Sequence, residues 1–302
     1  MKFQCVGTKK QMDIGVNRYF IKYEIAKGGF SNIYLARNIL NKQKYAMKKI
    51  YAHSQLEVSR IRREIYAHYA FGEHEHLMKI HGVYREKYGE GSYLFWLVMD
   101  YCPLGSLQNV LDKQSKLNEM LPEKQIVSYI SQILSALQYM HSSEPSIAHR
   151  DIKPANCLRL HENHIVLTDF GSAVMVPVEI DTPKRSQELK DEAAELCTMP
   201  YRAPELFNCD VGTKYDHKVD VWSAGCVLYA LCFHCSPFDA VAARGDSIAL
   251  ATLSYKFKEA PVKNSYSEGL MSILRDMLTV STVDRPNCDT LITRLDSLRI
   301  GS

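Results

Sequence analysis

His149-Arg150-Asp151-Ile152-Lys153-Pro154-Ala155-Asn156 decides how this chain is read. At roughly 5% per residue type, its fixed pattern H-R-D-x-x-x-x-N should arise by chance about 0.002 times in a chain of this length. Motifs that belong with it stand on both sides in a definite order. Ala46-Met47-Lys48 and then Glu64 precede it, while Asp169-Phe170-Gly171 and Ala203-Pro204-Glu205 follow it. Read singly, each of these charges is an ordinary solvated group; the joint order carries the signal.

The surrounding pattern changes character along the chain. From Tyr19 to Ile50, short alternating runs broken at Lys27-Gly28-Gly29 and Asn41-Lys42 predict consecutive antiparallel strands. A helix is expected around Ile61, Ile65 and His68, followed by strands near Met78 to Tyr84 and Tyr93 to Met99. Beyond Pro103, helical spacing dominates: Ile126, Ile130, Ile133, Leu134 and Leu137, then Val219 to Leu231, Leu270 to Leu278 and Thr290 to Leu298. A small β lobe preceding a larger α lobe is the expectation, with the boundary near Tyr101 to Gly105.

Composition agrees with a large globular chain. Its 302 residues are 46% hydrophobic and 24% charged, which argues against overall disorder. A net charge of +3 provides no long-range field for nucleic acid, so a dedicated DNA binder is disfavoured. Nine scattered cysteines and no secretory signal favour reduced thiols in a cytosolic setting. Cys232-x-x-Cys235 lacks a second pair at zinc-site spacing and reads as core packing inside a buried helix. That apolar run, Val221 to Cys235, falls short of the roughly 20 residues needed to span a bilayer.

The ordered motifs resemble those of eukaryotic protein kinases over about Arg18 to Leu298. The resemblance implies an α+β, bilobal protein kinase fold: a tail at 1–18 and a kinase domain at 19–299, with a small antiparallel β lobe bearing one helix at 19–101 and a mostly helical lobe at 102–299. ATP and Mg²⁺ are the implied nucleotide and metal, and protein hydroxyls the implied acceptors. Phosphoryl transfer needs positioning and charge neutralisation, and each motif answers one of these needs. Lys48 would contact the α- and β-phosphates and Glu64 would orient it. Asp151 would accept the hydroxyl proton, and Asn156 and Asp169 would supply hard oxygens to the metal. Lys153 is typical of serine/threonine kinases. Met99 takes the gatekeeper place, backbone groups of Asp100 and Cys102 are the adenine partners, and Ile33, Ala46 and Leu158 would sandwich the ring. Asp220 begins the helix that supports the catalytic loop, and Arg285 is the expected partner of Glu205.

The phosphate-loop segment reads Ile25-Ala26-Lys27-Gly28-Gly29-Phe30-Ser31-Asn32-Ile33. Of the three glycines in the family's G-x-G-x-x-G-x-V, only Gly28 is kept, with Ala26 and Ser31 in the other two places, which restricts the backbone. A pseudokinase scaffold is the alternative that these changes suggest, and the full set of catalytic polar residues argues against it. A metabolic small-molecule kinase is disfavoured by Ala203-Pro204-Glu205 and Thr198, which build a peptide-docking surface in the resembled family.

Local features resemble the Numb-associated kinase family, and most closely its small, lipid-anchored, Golgi-associated serine/threonine branch. They are Gly29-Phe30-Ser31, Ala193-Ala194, Cys197-Thr198, Tyr201 through Phe207 and Gly245 through Ala251. A chain with little outside the catalytic domain suits that branch. Autophosphorylation and a role in membrane trafficking or secretory-pathway signalling follow as implications. Between Asp169 and Glu205, Thr182 is a capping residue, Pro183 fits the first helical position, and Leu189, Ala193, Leu196 and Cys197 form an apolar stripe. A helix packed there would hold the activation segment without a phosphate. The N-terminus departs from the branch: Lys2 replaces its myristoyl-acceptor glycine. Cys5, near Lys2, Lys9 and Lys10, is left as an S-acylation candidate, with weak, reversible attachment of a cytoplasmic protein to Golgi or other endomembranes expected.

Overall fold

A computed structural model describes residues 11–28, 31–255 and 265–300. The chain divides into two units, one comprising the residues up to Glu73 together with Met78–Pro103, the other His74–Leu77 and the residues from Leu104 onward.

In the first unit, alternating side chains produce β1 (Gln11–Ile14), β2 (Asn17–Lys27), β3 (Ser31–Asn38) and β4 (Lys44–Ala52). Helix α1 (Gln55–Phe71) follows, then β5 (Ile80–Gly89) and β6 (Ser92–Asp100). The six strands form one antiparallel sheet in the order β1-β2-β3-β4-β6-β5. Because successive side chains alternate faces, Tyr45, Met47, Leu94, Trp96 and Val98 enter one core with Ile14, Tyr19 and Ile21. Ile50, Phe95 and Leu97 enter the other, against Val58 and Ile61 of α1. Ser54 caps α1 by accepting a hydrogen bond from the Glu57 amide at 3.2 Å, an interaction typically worth about 1 kcal/mol.

Strand β1 corrects one expectation: the sheet begins inside the segment assigned to a tail. Gln11–Ile14 pairs with Asn17 to Phe20 around a tight turn in which Gly15 adopts φ +59°. Ile14 then packs on the backbone of Gly82 in β5, where a Cβ would fall 2.9 Å from its Cγ2. The absence of a side chain at Gly82 lets the two edge strands curl toward each other.

The second unit is built on helices. They include α2 (Leu107–Leu117) and α3 (Glu123–His141), and then come β7 (Ile147–Ala148), β8 (Cys157–His161), β9 (His164–Leu167), β10 (Val174–Met175) and β11 (Val178–Ile180). Next are α4 (Pro183–Leu196), β12 (Thr213–Tyr215) and α5 (Lys218–Phe233). Helices α6 (Asp239–Ala243), α7 (Ile248–Leu253), α8 (Glu268–Met277) and α9 (Cys288–Ile300) complete it. Helix α5 is apolar around its whole circumference and buried from Val219 to Cys232, as expected of a central helix. It approaches α8 closely at Gly225, where a Cβ would lie 2.9 Å from Met277 Cβ. Three two-stranded pairings, β7 with β10, β8 with β9 and β11 with β12, fix the loops on which the second unit's candidate residues sit.

Candidate active site

The expected site residues fall in both units, and each half has its own geometry. In the first unit, Lys48 of β4 donates to Glu64 of α1 at 2.6 Å, with side chains only 12% and 6% exposed. The sheet register explains how this pair is presented. Lys48 lies opposite Ile33 on β3 and Leu97 on β6, while Ala46 lies opposite Met99. Ile33, Ala46, Lys48 and Met99 thus share the face of the sheet that meets α1. Ala26 is paired with Ile33 and Lys27 with Asn32, so Ile25, Ala26 and Lys27 end β2 and Ser31 opens β3. The Gly28 amide donates to the Ser31 carbonyl at 2.7 Å, closing the turn; Gly29 and Phe30 lie outside the described residues. Asp100 ends β6 with its carboxylate 2.7 Å from His81 Nε2. Cys102 is half-buried, and burial, with the Asp100 charge adding, pushes its thiol up to about 12.

In the second unit, Asp151, Lys153, Asn156 and Thr198 converge. Asp151 Oδ1 accepts from the Thr198 hydroxyl at 2.6 Å and from its amide at 3.0 Å. Asp151 Oδ2 accepts from Lys153 Nζ at 2.8 Å and Asn156 Nδ2 at 3.1 Å. Lys153 also donates to Thr198 Oγ1 at 2.7 Å, so one ammonium ties the loop to the segment bearing Thr198. The Asn156 carbonyl accepts from the Thr168 amide at 3.0 Å, which brings the residue before Asp169 beside it. Leu158 is half-buried on β8 and bridges to Ser106.

Backbone strain marks this half. Arg150 and Asp169 adopt φ of 66° and 70°, the left-handed region that costs a residue with a Cβ about 1–3 kcal/mol. Asp220, fully buried at the start of α5, offsets this at Arg150. Its Oδ1 accepts from the Arg150 amide at 2.7 Å, and its Oδ2 from the His149 amide at 2.8 Å and His141 Nε2 at 2.9 Å. Burial works against the Asp220 charge, but the hydrogen bond from His141, supported by the His149 amide, holds its pKa below the ordinary value. A second anchor is Arg285, which donates to Glu205 through both terminal nitrogens at 2.7 and 3.1 Å, the pairing expected from sequence. Separating such a buried pair typically costs about 3–5 kcal/mol.

The residues fit a divalent cation by donor chemistry. Asn156 Nδ2 donates both to the Asp151 carbonyl and to its carboxylate, which fixes the amide and turns Oδ1 the other way as a hard oxygen donor. Asp169 offers a carboxylate on a neighbouring strained turn.

The description "Protein kinase domain" matches residues 19–294. The chain belongs to the protein kinase family. It is 32% identical to mouse serine/threonine-protein kinase 16, over 98% of this chain and 95% of the relative. Serine/threonine-protein kinase ppk13 of Schizosaccharomyces pombe is 33% identical over 94% of this chain and 91% of its own length. Actin-regulating kinase 1 of Saccharomyces cerevisiae is 30% identical over 97% of this chain but 46% of its own.

The activation segment of this kinase carries the expected helix. Thr182 Oγ1 accepts from the Arg185 amide at 3.2 Å, Pro183 opens α4, and Leu189 and Ala193 are buried. Glu192, which sequence reading did not single out, projects from this helix to Arg150 Nη2 at 2.7 Å. Arg150 also donates to the Ser172 carbonyl at 2.7 Å and the Tyr215 hydroxyl at 3.1 Å. Burial disfavours the Arg150 charge, and its surroundings, Glu192 among them, more than offset this, so its pKa stands above the ordinary value. His141 was also missed: an imidazole at a helix end carries no local sign of a partner 79 residues away.

Proposed function

We propose that this kinase transfers the γ-phosphoryl group of ATP to serine or threonine hydroxyls of proteins, itself included. The observation that carries the reading is the buried Asp151 carboxylate, held by Lys153, Asn156 and Thr198 in one hydrogen-bonded network. In the proposed reaction the acceptor hydroxyl oxygen bonds to the γ-phosphorus, its proton passes to Asp151, and the bond to the departing ADP oxygen breaks. Lys153 and Thr198 orient the base. Asn156 and Asp169 would hold Mg²⁺, which when bound supplies neutralisation of phosphate charge. Lys48, oriented by Glu64, would contact the α- and β-phosphates. The segment Ile25 to Ser31, including Gly28, Gly29 and Phe30, would cover the phosphates, and Ile33, Ala46, Met99, Asp100, Cys102 and Leu158 would receive the adenine.

Serine/threonine specificity is supported by Lys153 and by the names of the relatives. The tail at 1–18, with a kinase domain at 19–299 divided after residue 101, remains the proposed organisation, amended by the strand at Gln11–Ile14. A cytoplasmic trafficking or secretory-pathway role, with reversible attachment to Golgi or other endomembranes through Cys5, is supported by likeness to the lipid-anchored branch; Cys5, Lys2, Lys9 and Lys10 lie outside the described residues. No helix among the described residues is long and apolar enough to cross a membrane. Purified protein incubated with Mg²⁺, labelled ATP and a generic protein acceptor should yield phosphoserine and phosphothreonine on mapping. Binding of Mg-ATP without any transfer would favour a scaffold and refute the reading.

A further inference from the structure

The contacts of Asp220 continue to a thiol on the last helix. Asp220 can only accept, so His141 Nε2, 2.9 Å from Oδ2, carries a proton. His141 Nδ1 then faces Cys288 Sγ at 3.6 Å, and both side chains are buried. Burial pushes the Cys288 thiol well above the ordinary range, so it meets the imidazole as S–H and not as a second anion beside Asp220. The natural reading is a directed relay: S–H to Nδ1, Nε2–H to Asp220, and Asp220 to the amides of His149 and Arg150.

We propose that Cys288 is a positioning residue for the catalytic loop, its S–H holding His141 as the neutral Nε2–H tautomer that bonds Asp220. The proposal rests on the reading of Asp151 as the base, since the loop ordered by Asp220 carries Asp151. The S–H donor stabilises only the neutral imidazole, because sulfur is a weak acceptor for the Nδ1–H of an imidazolium. Loss of the donor therefore favours protonation. An imidazolium draws more strongly on Asp220 Oδ2, the oxygen that also accepts from the His149 amide, and loosens the loop at that amide.

The other titratable groups around the relay are consistent with it. The His217 ring lies 4.6 Å from that of His141, tilted by 30°. Burial, and the neighbouring His141, keep the His217 pKa below its ordinary value, so it adds no cation near neutral pH. Asp216 and Lys218 flank His217 with opposite charges, and Asp289 adjoins Cys288 while accepting from Gln138 of α3.

The test compares the full-length wild type with Cys288→Ala and Cys288→Ser. Nitrogen-15 NMR of the imidazole ring reads the tautomer and titration midpoint of His141, and kcat is followed from pH 6 to 8.5. In Cys288→Ala the His141 titration should move toward the protonated form relative to the wild type. Its kcat at pH 6.5 should fall about twofold to fivefold, the weight of one hydrogen bond, with recovery at pH 8.5 and KM for ATP unchanged. Cys288→Ser, which keeps a donor, should restore most of both. A His141 midpoint and acid limb identical in wild type and Cys288→Ala would overturn the proposal. If the alanine variant does not fold, Cys288→Thr against Cys288→Val makes the same comparison at matched shape. The NMR titration requires no turnover, so an inactive wild type would refute the kinase reading while the titration still decides the relay.

Discussion

Removing the carboxylate of Glu192 should loosen the activation segment from the catalytic loop. Arg150 is 1% and Glu192 23% exposed, and their charges meet at 2.7 Å. Deleting one partner of a fully buried pair costs about 3–5 kcal/mol. Here water reaches one side of Glu192, and Arg150 keeps its bonds to the Ser172 carbonyl and Tyr215 hydroxyl. About 2 kcal/mol is the reasonable magnitude for Glu192→Ala, equivalent to roughly thirtyfold in the ratio of ordered to disordered segment at 1.4 kcal/mol per tenfold. The assay is peptide phosphorylation by bacterially produced, phosphatase-treated protein, with limited proteolysis of the segment as a parallel readout. Dephosphorylated wild type should be active, because a carboxylate on α4 already occupies the guanidinium and the buried Leu189 and Ala193 hold the helix. Glu192→Ala should lose about tenfold to thirtyfold in kcat/KM and be cut faster between Asp181 and Thr198, while Glu192→Gln should fall between. An inactive dephosphorylated wild type that regains activity on phosphorylation, or an unimpaired Glu192→Ala, would refute the reasoning.

Three further outcomes follow from particular contacts. Gly225→Ala inserts a Cβ 2.9 Å from Met277 Cβ and should destabilise the protein by about 1–3 kcal/mol in urea titration; an unchanged midpoint would contradict the close α5–α8 approach. The depressed pKa of Asp220 means that its contribution is present above the unfolded value of about 3.9 and is lost as pH falls through the lower folded value. The stability gap between wild type and Asp220→Asn should therefore narrow as pH falls below about 4, and a gap that widens there would reverse the sign. Cys102, its thiol pushed up to about 12, should be alkylated by iodoacetamide at pH 8 at least about tenfold more slowly than an ordinary cysteine, as peptide mapping would register.

What could be read from sequence was what is encoded locally. The Thr182 cap, Pro183 and the Leu189-Ala193 stripe lie within a dozen residues and specify α4 by themselves. The order of Lys48, Glu64, Asp151, Asn156 and Asp169 likewise pointed to the candidate residues of each unit, and the Lys48–Glu64 and Glu205–Arg285 pairs form where the resemblance expected them. Strand β1 escaped because Gln11-Met12-Asp13-Ile14 has only two apolar residues; its pairing depends on the Gly15 turn and on Gly82 in a distant strand. Glu192 looked like one more solvated charge on a polar helix face, and its meaning depends on a guanidinium 42 residues away. The separation is larger still for Cys288 and His141, 147 residues apart, and no periodicity spans such a distance.

The central claim is that Asp151 is the base of phosphoryl transfer, and Asp151→Asn tests it most directly. Asparagine retains the size of the side chain while removing the proton acceptor. Single-turnover transfer of labelled phosphate should fall by about 10² to 10⁴, the range for losing a positioned acid–base group, with the fold and ATP affinity unchanged. Transfer at a near-normal rate in a folded, nucleotide-binding Asp151→Asn protein would contradict the account.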